Sequence, residues 1–209
     1  MNLARQLHRF VDSLDRRYRP TIRRSRRAEA WWIGLLDGVV SLQSDRLYLR
    51  RAIVPAIIGS GARQILFIGV RGYTRAVVDA MGRHGLEVWT SDIDPEAAPH
   101  GAPARHRTGD VCEIDALFPE VRFDLVILNG VLGWGVDSPE DIERALEGVM
   151  RILRPGGVLL LGWNRGRIPD PPTIPALMTR FEPCSFESLP QRKDFPGATH
   201  LYAWYGRRG

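Results

Sequence analysis

Lysine is almost missing from this chain of 209 residues, and cysteine is scarce. Lys193 is the sole lysine, so the positive surplus, 29 Lys+Arg against 24 Asp+Glu, is carried by arginine. A skew of that kind often follows codon composition and does not by itself point to a nucleic-acid partner. The two cysteines, Cys112 and Cys184, lack the paired spacing of a zinc site and are too few for a disulfide framework. No metal centre is expected, and a reducing compartment suits two bystander thiols. No apolar run reaches the roughly 20 residues that a membrane helix needs; Ala52 to Ile58 is short and follows Arg50 and Arg51. The opening Met-Asn-Leu-Ala-Arg-Gln, with His8, Arg9 and Asp12 close behind, has no apolar stretch of the secretory type. A soluble, cytoplasmic protein without membrane partners is the expectation. Internal repeats and low-complexity tracts are also missing.

With 44% hydrophobic and 25% charged residues, the chain has an ordinary globular composition and enough length for one substantial core with an N-terminal appendage. The basic residues cluster once, at Arg16, Arg17, Arg19, Arg23, Arg24, Arg26 and Arg27. Such a cluster can meet phosphates or solvate one face of a helical segment. No aromatic platform stands beside it, which favours the solvated face over a nucleic-acid partner.

Apolar residues at Leu3, Leu7, Phe10, Val11 and Leu14 recur at helical spacing. Pro20 interrupts, Ser25 can cap a second helix through Trp31, Trp32 and Leu35, and Asp45 a third through Leu49, Ile53 and Ile57. Residues 1 to 62 therefore read as a helical cover, and 63 to 209 as the main domain. At Gly59-Ser60-Gly61 the pattern changes. Ile65 to Gly69 is a short apolar run of the kind buried on both faces of a sheet. A helix over about Thr74 to His84 and a strand from Leu86 to Ser91, closing on Asp92, complete a β-helix-β unit. Strands then follow near Ala104 to Arg107, over Phe123 to Leu128 and over Val158 to Gly162. Between the last two lies a helix over about Glu140 to Leu153, led by Ser138-Pro139 as cap and first turn. Such alternation implies a mostly parallel central sheet with helices on both faces. Candidate strands over Phe181 to Ser188 and His200 to Tyr205 can close it as an antiparallel hairpin.

Chemistry concentrates at the ends of these strands. In Gly69-Val70-Arg71-Gly72-Tyr73-Thr74 the glycines let backbone approach a ligand, and the next helix begins with free N–H groups. Asp92 follows the second strand, where a carboxylate can take both hydroxyls of a ribose. Gly109-Asp110-Val111 follows the third and sets a second acid where an adenine amino group can donate to it. Asn129, Gly130 and Trp134 follow the fourth, and Trp134 can either pack or face a cation. Asn164 and His200 are polar groups at strand ends, with a structural role as open as a ligand-facing one.

The order of Ile65-Leu66-Phe67-Ile68-Gly69 to Gly72, Ser91-Asp92-Ile93-Asp94-Pro95, Gly109-Asp110, Phe123 to Ile127 and Leu153-Arg154-Pro155-Gly156-Gly157-Val158-Leu159 resembles the class I S-adenosylmethionine-dependent methyltransferases. The likeness runs from about Gln64 to Asn164 and implies a Rossmann-like methyltransferase fold. It implies S-adenosylmethionine as cofactor, with Gly69, Val70, Gly72, Tyr73 and Thr74 around its methionine and ribose. Asp92 with Ile93 would hold the ribose diol, Gly109, Asp110 and Val111 the adenine, and Asn129, Gly130 and Trp134 the sulfonium end. The Leu-Arg-Pro-Gly-Gly segment is implied to be the turn whose glycines end a helix and start the fifth strand. Two positions depart from the family pattern: Phe67 stands where an acid is common, and Arg71 where glycine is common. Tyr73 and Thr74 hydroxyls can compensate for the lost acid. The activity implied is methyl transfer to a small-molecule substrate by in-line displacement, a reaction that needs a base only when the nucleophile must lose a proton. Aminocarboxypropyl transfer or cyclisation, a degenerate non-catalytic fold and nucleic-acid methylation are the alternatives. A nicotinamide enzyme would share Asp92, but the loop lacks the third glycine of the dinucleotide fingerprint.

Overall fold

The computed structural model describes residues 43–209; the helices expected over Leu3 to Leu14 and from Ser25 to Leu35 lie outside them. The first described helix, α1 (Ser44–Tyr48), passes through a π-helical turn, Leu49–Ile53, into α2 (Val54–Gly59). Pro55 near the start of α2 has no N–H to donate backward, and the wider turn before it accommodates that missing bond. Leu49, Ile53 and Ile57 are fully buried, as their spacing predicts. Asp45 is not the cap expected of it. Gln43 holds that position without a side-chain bond, and Asp45 sits buried in the first turn, paired with Arg46.

The sheet is built from β1 (Gln64–Ile68), β2 (Glu87–Asp92), β3 (His106–Thr108), β4 (Phe123–Asn129), β5 (Leu153–Asn164), β6 (Phe181–Pro183), β7 (Arg192–Lys193) and β8 (His200–Arg207). Its order is β3-β2-β1-β4-β5-β8-β6, with β7 also beside β8. The first five strands are mutually parallel, and β8 returns antiparallel to β5 from Val158↔Gly206 to Asn164↔His200. The C-terminal pair is thus antiparallel as expected, but the last strand is inserted between β5 and β6. The first strand of that pair is also shorter than the pattern suggested, ending at Pro183.

Alternation along the strands sorts the core into two layers. Leu66, Ile68, Val126, Leu128, Leu159 and Leu161 face Ile142, Leu146 and Val149. Ile65, Phe67, Leu125, Ile127 and Leu160 face Leu49, Ile53, Ile57, Val77, Val78 and Met81. The helices responsible are α3 (Arg75–Arg83) on the second face and α5 (Pro139–Ile152) on the first, with the short α4 (Ile114–Leu117) and α6 (Pro175–Arg180) beside α5. Ser138 caps α5 by accepting from the Asp141 N–H at 3.1 Å. The glycines of Leu153-Arg154-Pro155-Gly156-Gly157 do not end that helix. Leu153 is already extended and pairs with Phe123, and Gly156 turns at φ +74° where the β4–β5 register shifts. Asp124, opposite this irregularity, accepts from the Arg63 and Gln64 N–H groups at 2.8 Å each and pairs with Arg154.

Candidate active site

Gly69 ends β1 at φ +91°, and a Cβ there would lie 2.1 Å from the Asn129 carbonyl oxygen. Only glycine lets the ends of β1 and β4 approach so closely. The chain then turns so that the Val70 N–H donates to Asp92 Oδ2 at 2.8 Å, while the Asp94 N–H donates to Oδ1 at 3.0 Å. The Asp92 carboxylate is therefore fixed by backbone and nearly buried. A third donor reaches it: the Arg71 guanidinium bonds Oδ2 at 2.8 Å and the Val70 carbonyl at 2.7 Å. The Thr74 hydroxyl is spent on Arg71, donating to its carbonyl at 2.7 Å and accepting from its N–H at 3.0 Å.

A cavity of about 730 Å³ opens beside this turn, at the carboxyl ends of β1, β4 and β5. Gly69, Arg71 and Tyr73 line it from the β1 turn, Asn129, Gly130 and Trp134 from the end of β4 and its loop, and Asn164, Arg165, Arg167, Thr199 and His200 from the ends of β5 and β8; Gln43 to Arg46 form part of the wall. One chain of polar groups crosses the cavity. Asn129 Nδ2 donates to the Tyr73 hydroxyl at 3.2 Å, and Asn129 Oδ1 lies 3.0 Å from His200 Nε2. His200 Nδ1 is 3.4 Å from Asn164 Oδ1, which accepts from Trp134 Nε1 at 3.2 Å, while Asn164 Nδ2 donates to Thr199 at 2.9 Å. Gly162 makes room for the centre of this network, since a Cβ there would lie 2.3 Å from Asn129 Oδ1 and 3.0 Å from His200 Nε2.

Both ring nitrogens of His200 face amide oxygens, and the shorter contact, 3.0 Å to Asn129 against 3.4 Å to Asn164, favours the single proton of a neutral ring on Nε2. With Nε2–H donating to Asn129, Nδ1 keeps its lone pair and meets another acceptor, Asn164 Oδ1, whose orientation the Trp134 indole fixes. Burial and then the Arg46 charge push the His200 pKa down to about 3, so the ring is neutral at pH 7. Arg46 reaches the same wall, its guanidinium 4.3 Å above the centroid of the Tyr73 ring and paired with Asp45. The thiols are not nucleophiles here. Burial, then Asp110, raises Cys112 to about 11, and burial, then Glu182, raises Cys184.

Among the residues anticipated from the sequence, Gly69, Tyr73, Asn129, Gly130 and Trp134 share the cavity. Val70 and Gly72 shape the turn, Val70 through its N–H on Asp92 and Gly72 by opening the 3-10 turn Gly72–Thr74. Thr74 has no free hydroxyl to replace the missing acid, because the turn consumes it. Asp92 lies behind Arg71. Ile93 is 66% exposed at the end of β2. Gly109 packs on Leu117, Asp110 caps the following turn through the Cys112 N–H at 2.9 Å, and the Val111 side chain is buried in the core. Trp134 does face a cation, the Arg167 guanidinium 4.0 Å from its centroid. Arg46, Asn164, Arg167 and His200 were either unread as site residues or left with an open role.

Comparison with known proteins adds to this geometry. Residues 69–161 match the family model described as a methyltransferase domain. A ubiquinone/menaquinone biosynthesis C-methyltransferase from Pseudoalteromonas translucida is 26% identical over 135 residues, 61% of this chain and 52% of that one. Its counterpart from Edwardsiella ictaluri is 26% identical over 166 residues, 75% of this chain and 62% of that one. The chain thus spans only about half to three fifths of the length of these curated relatives. The solved structure of the N-methyltransferase NodS from Bradyrhizobium japonicum with S-adenosylhomocysteine superposes with TM-score 0.63 at 16% identity, covering 81% of this chain and 91% of that one. The 1,6-didemethyltoxoflavin-N1-methyltransferase of Burkholderia thailandensis superposes with TM-score 0.54 at 21% identity, covering 87% and 90%. Strand order, the Gly69 turn with Asp92 beside it, and the matched region agree: residues 69–161 match a methyltransferase domain, and the chain has the fold of the methyltransferases on which it superposes.

Proposed function

We propose that the protein transfers a methyl group from S-adenosylmethionine to a small molecule held in the cavity at the carboxyl ends of β1, β4 and β5, and that it does so in the cytoplasm. The observation that carries this reading is the continuity of the cavity from Gly69 and Tyr73 to Trp134 and Thr199. A cofactor at the turn and an acceptor against the β4 and β5 loops would share one continuous volume, as methyl transfer requires.

The residues fit the cofactor, with one exchange. Asp92 is oriented by two backbone N–H groups and retains acceptor capacity for a diol, provided the Arg71 side chain gives up Oδ2. Exposed Ile93 and the Asp110 carboxylate suit an adenine. Phe67 leaves no acid beneath the methionine end, and Arg46 above the Tyr73 ring suits its carboxylate instead. When bound, the cofactor supplies an electrophilic methyl group on a sulfonium. His200, neutral and bonded to Asn129, positions that amide beside Tyr73; with a pKa of about 3 it is too weak a base to take a proton from the acceptor. Residues 1 to 62 are read as a cover over the site, a reading supported by Gln43 to Arg46 forming part of its wall.

Calorimetric titration with S-adenosylmethionine, S-adenosylhomocysteine and NAD tests this, followed by mass analysis of the cofactor after incubation with cell extract. Binding of the adenosyl ligands alone and release of S-adenosylhomocysteine are expected. Methylthioadenosine as product would move the assignment to aminocarboxypropyl chemistry, and absence of adenosyl binding would leave a non-catalytic fold.

A further inference from the structure

We infer that the methyl acceptor is a flat organic anion, an aromatic carboxylate in its simplest form, gripped by Arg167 on the Trp134 ring. This rests on the cofactor reading above for the placement of the two ligands. The first ground is charge. Arg46, Arg71, Arg165 and Arg167 line the cavity with a single carboxylate, Asp45, among them. Asp45, Asp92 and Asp194 pair with Arg46, Arg71 and Arg165. Arg167 has no carboxylate partner among the described residues. A cavity wall whose described residues leave one guanidinium without a carboxylate favours an anion and disfavours an ammonium.

The second ground is that the cation is held in place. Its guanidinium lies 4.0 Å from the Trp134 centroid, and the indole is pinned by Nε1 donating to Asn164 at 3.2 Å. The loops after β4 and β5 meet closely because Gly133, at φ +84°, has no Cβ; one would lie 2.5 Å from the Arg167 Cβ. A stacked guanidinium keeps its planar fork free for a carboxylate and loses less side-chain freedom on binding than an unsupported one. Trp134 is 55% exposed, so its ring offers apolar surface to the body of the same molecule.

The third ground is position. Arg167 and Trp134, on the loops after β5 and β4, stand at one end of the polar chain that runs through Asn164, His200 and Asn129 to Tyr73, while Arg46 stands over Tyr73 at the other end. The cofactor's own carboxylate therefore has a separate cation, and Arg167 is left for the second ligand.

The test is calorimetric titration of the full chain with 4-hydroxybenzoate and its neutral isostere 4-hydroxybenzamide, with and without saturating S-adenosylhomocysteine, for wild type, Arg167→Gln and Arg167→Lys. The acid should bind about tenfold tighter than the amide, the ratio of one charge-assisted hydrogen bond gained. The preference should vanish in Arg167→Gln and survive only in part in Arg167→Lys, with S-adenosylhomocysteine affinity unchanged in both. Equal binding of acid and amide, a preference that persists in Arg167→Gln, or no acid binding by wild-type protein overturns the inference. Failure of S-adenosylhomocysteine to bind would instead sink the cofactor reading, and the acid-to-amide ratio measured without it still decides the anion site.

Discussion

Arg71→Ala is the most informative single change, because Arg71 and a ribose diol would compete for one oxygen. The guanidinium donates to Asp92 Oδ2 at 2.8 Å, with Arg71 56% exposed and the Asp92 side chain only 4%. A hydrogen bond to a buried charge contributes roughly 1.5 to 3 kcal/mol, but an ion pair with one half-exposed partner is screened by water and is worth about 1 kcal/mol or less. Removing Arg71 therefore raises S-adenosylhomocysteine affinity by about 1 kcal/mol, near fivefold, and lowers folding stability by a similar amount. Asp92→Asn works in the opposite sense. Its amide has a single accepting oxygen, so one of the Val70 and Asp94 N–H donors loses its partner, and ligand affinity falls by roughly 1.5 to 3 kcal/mol. Calorimetry on both variants and on the double mutant, beside urea unfolding, separates the terms. Weaker binding in Arg71→Ala would refute the reasoning by making Arg71 a group that holds the ligand. Unchanged binding would mean that the diol does not need Oδ2.

Two further changes address the polar chain across the cavity. His200 is neutral in the fold down to about pH 3, while unfolded histidine titrates near 6.5. As pH falls below 6.5 the unfolded chain takes up a proton that the folded chain refuses, so stability drops by up to about 1.4 kcal/mol per pH unit from this group. Urea unfolding at about pH 6.5 and about pH 5 should show His200→Gln losing about 1.6 kcal/mol less than wild type across that interval; equal losses would place the titration elsewhere. Gly162→Ala puts a methyl group 2.3 Å from Asn129 Oδ1 and should destabilise the chain by about 1 to 3 kcal/mol. It should also raise the His200 pKa by prising the ring from its buried position, and an unshifted ring resonance in an NMR titration would contradict that.

The sequence shows the sheet's parallel half plainly because β1, β4 and β5 are apolar on both faces and punctuated by glycine and proline. The same local pattern marks Gly69, Asp92 and Asn129 at strand ends, where ligands collect in open α/β sheets. It says nothing of contacts that depend on strand order. Asn129 meets His200 only because β8 is inserted beside β5 with Asn164 opposite His200, and nothing in the period of residues 181–205 requires that insertion. Trp134 and Arg167 are likewise joined through a loop approach that one glycine permits. Asp45 resembles a cap by type and spacing, yet pairs with Arg46 in the buried first turn, where tertiary context overrides a local preference.

Phe67 and Arg46 are best understood together. An acid at position 67 would stand in the layer that holds Leu49, Ile53, Ile57 and Val70, all buried and apolar, and its charge would lack a compensating partner there. Phenylalanine lets α1 and α2 close on that face of the sheet. The closing helix brings Arg46 to the Tyr73 ring at 4.3 Å, so the change that removes a negative charge from beneath the turn also admits a positive one above it. A cofactor in this cavity would therefore be anchored more through its carboxylate than through its ammonium group. Analogues lacking one or the other should separate the two contributions, with decarboxylated S-adenosylhomocysteine losing more affinity than the deaminated compound; the reverse order would show that Arg46 serves only the fold.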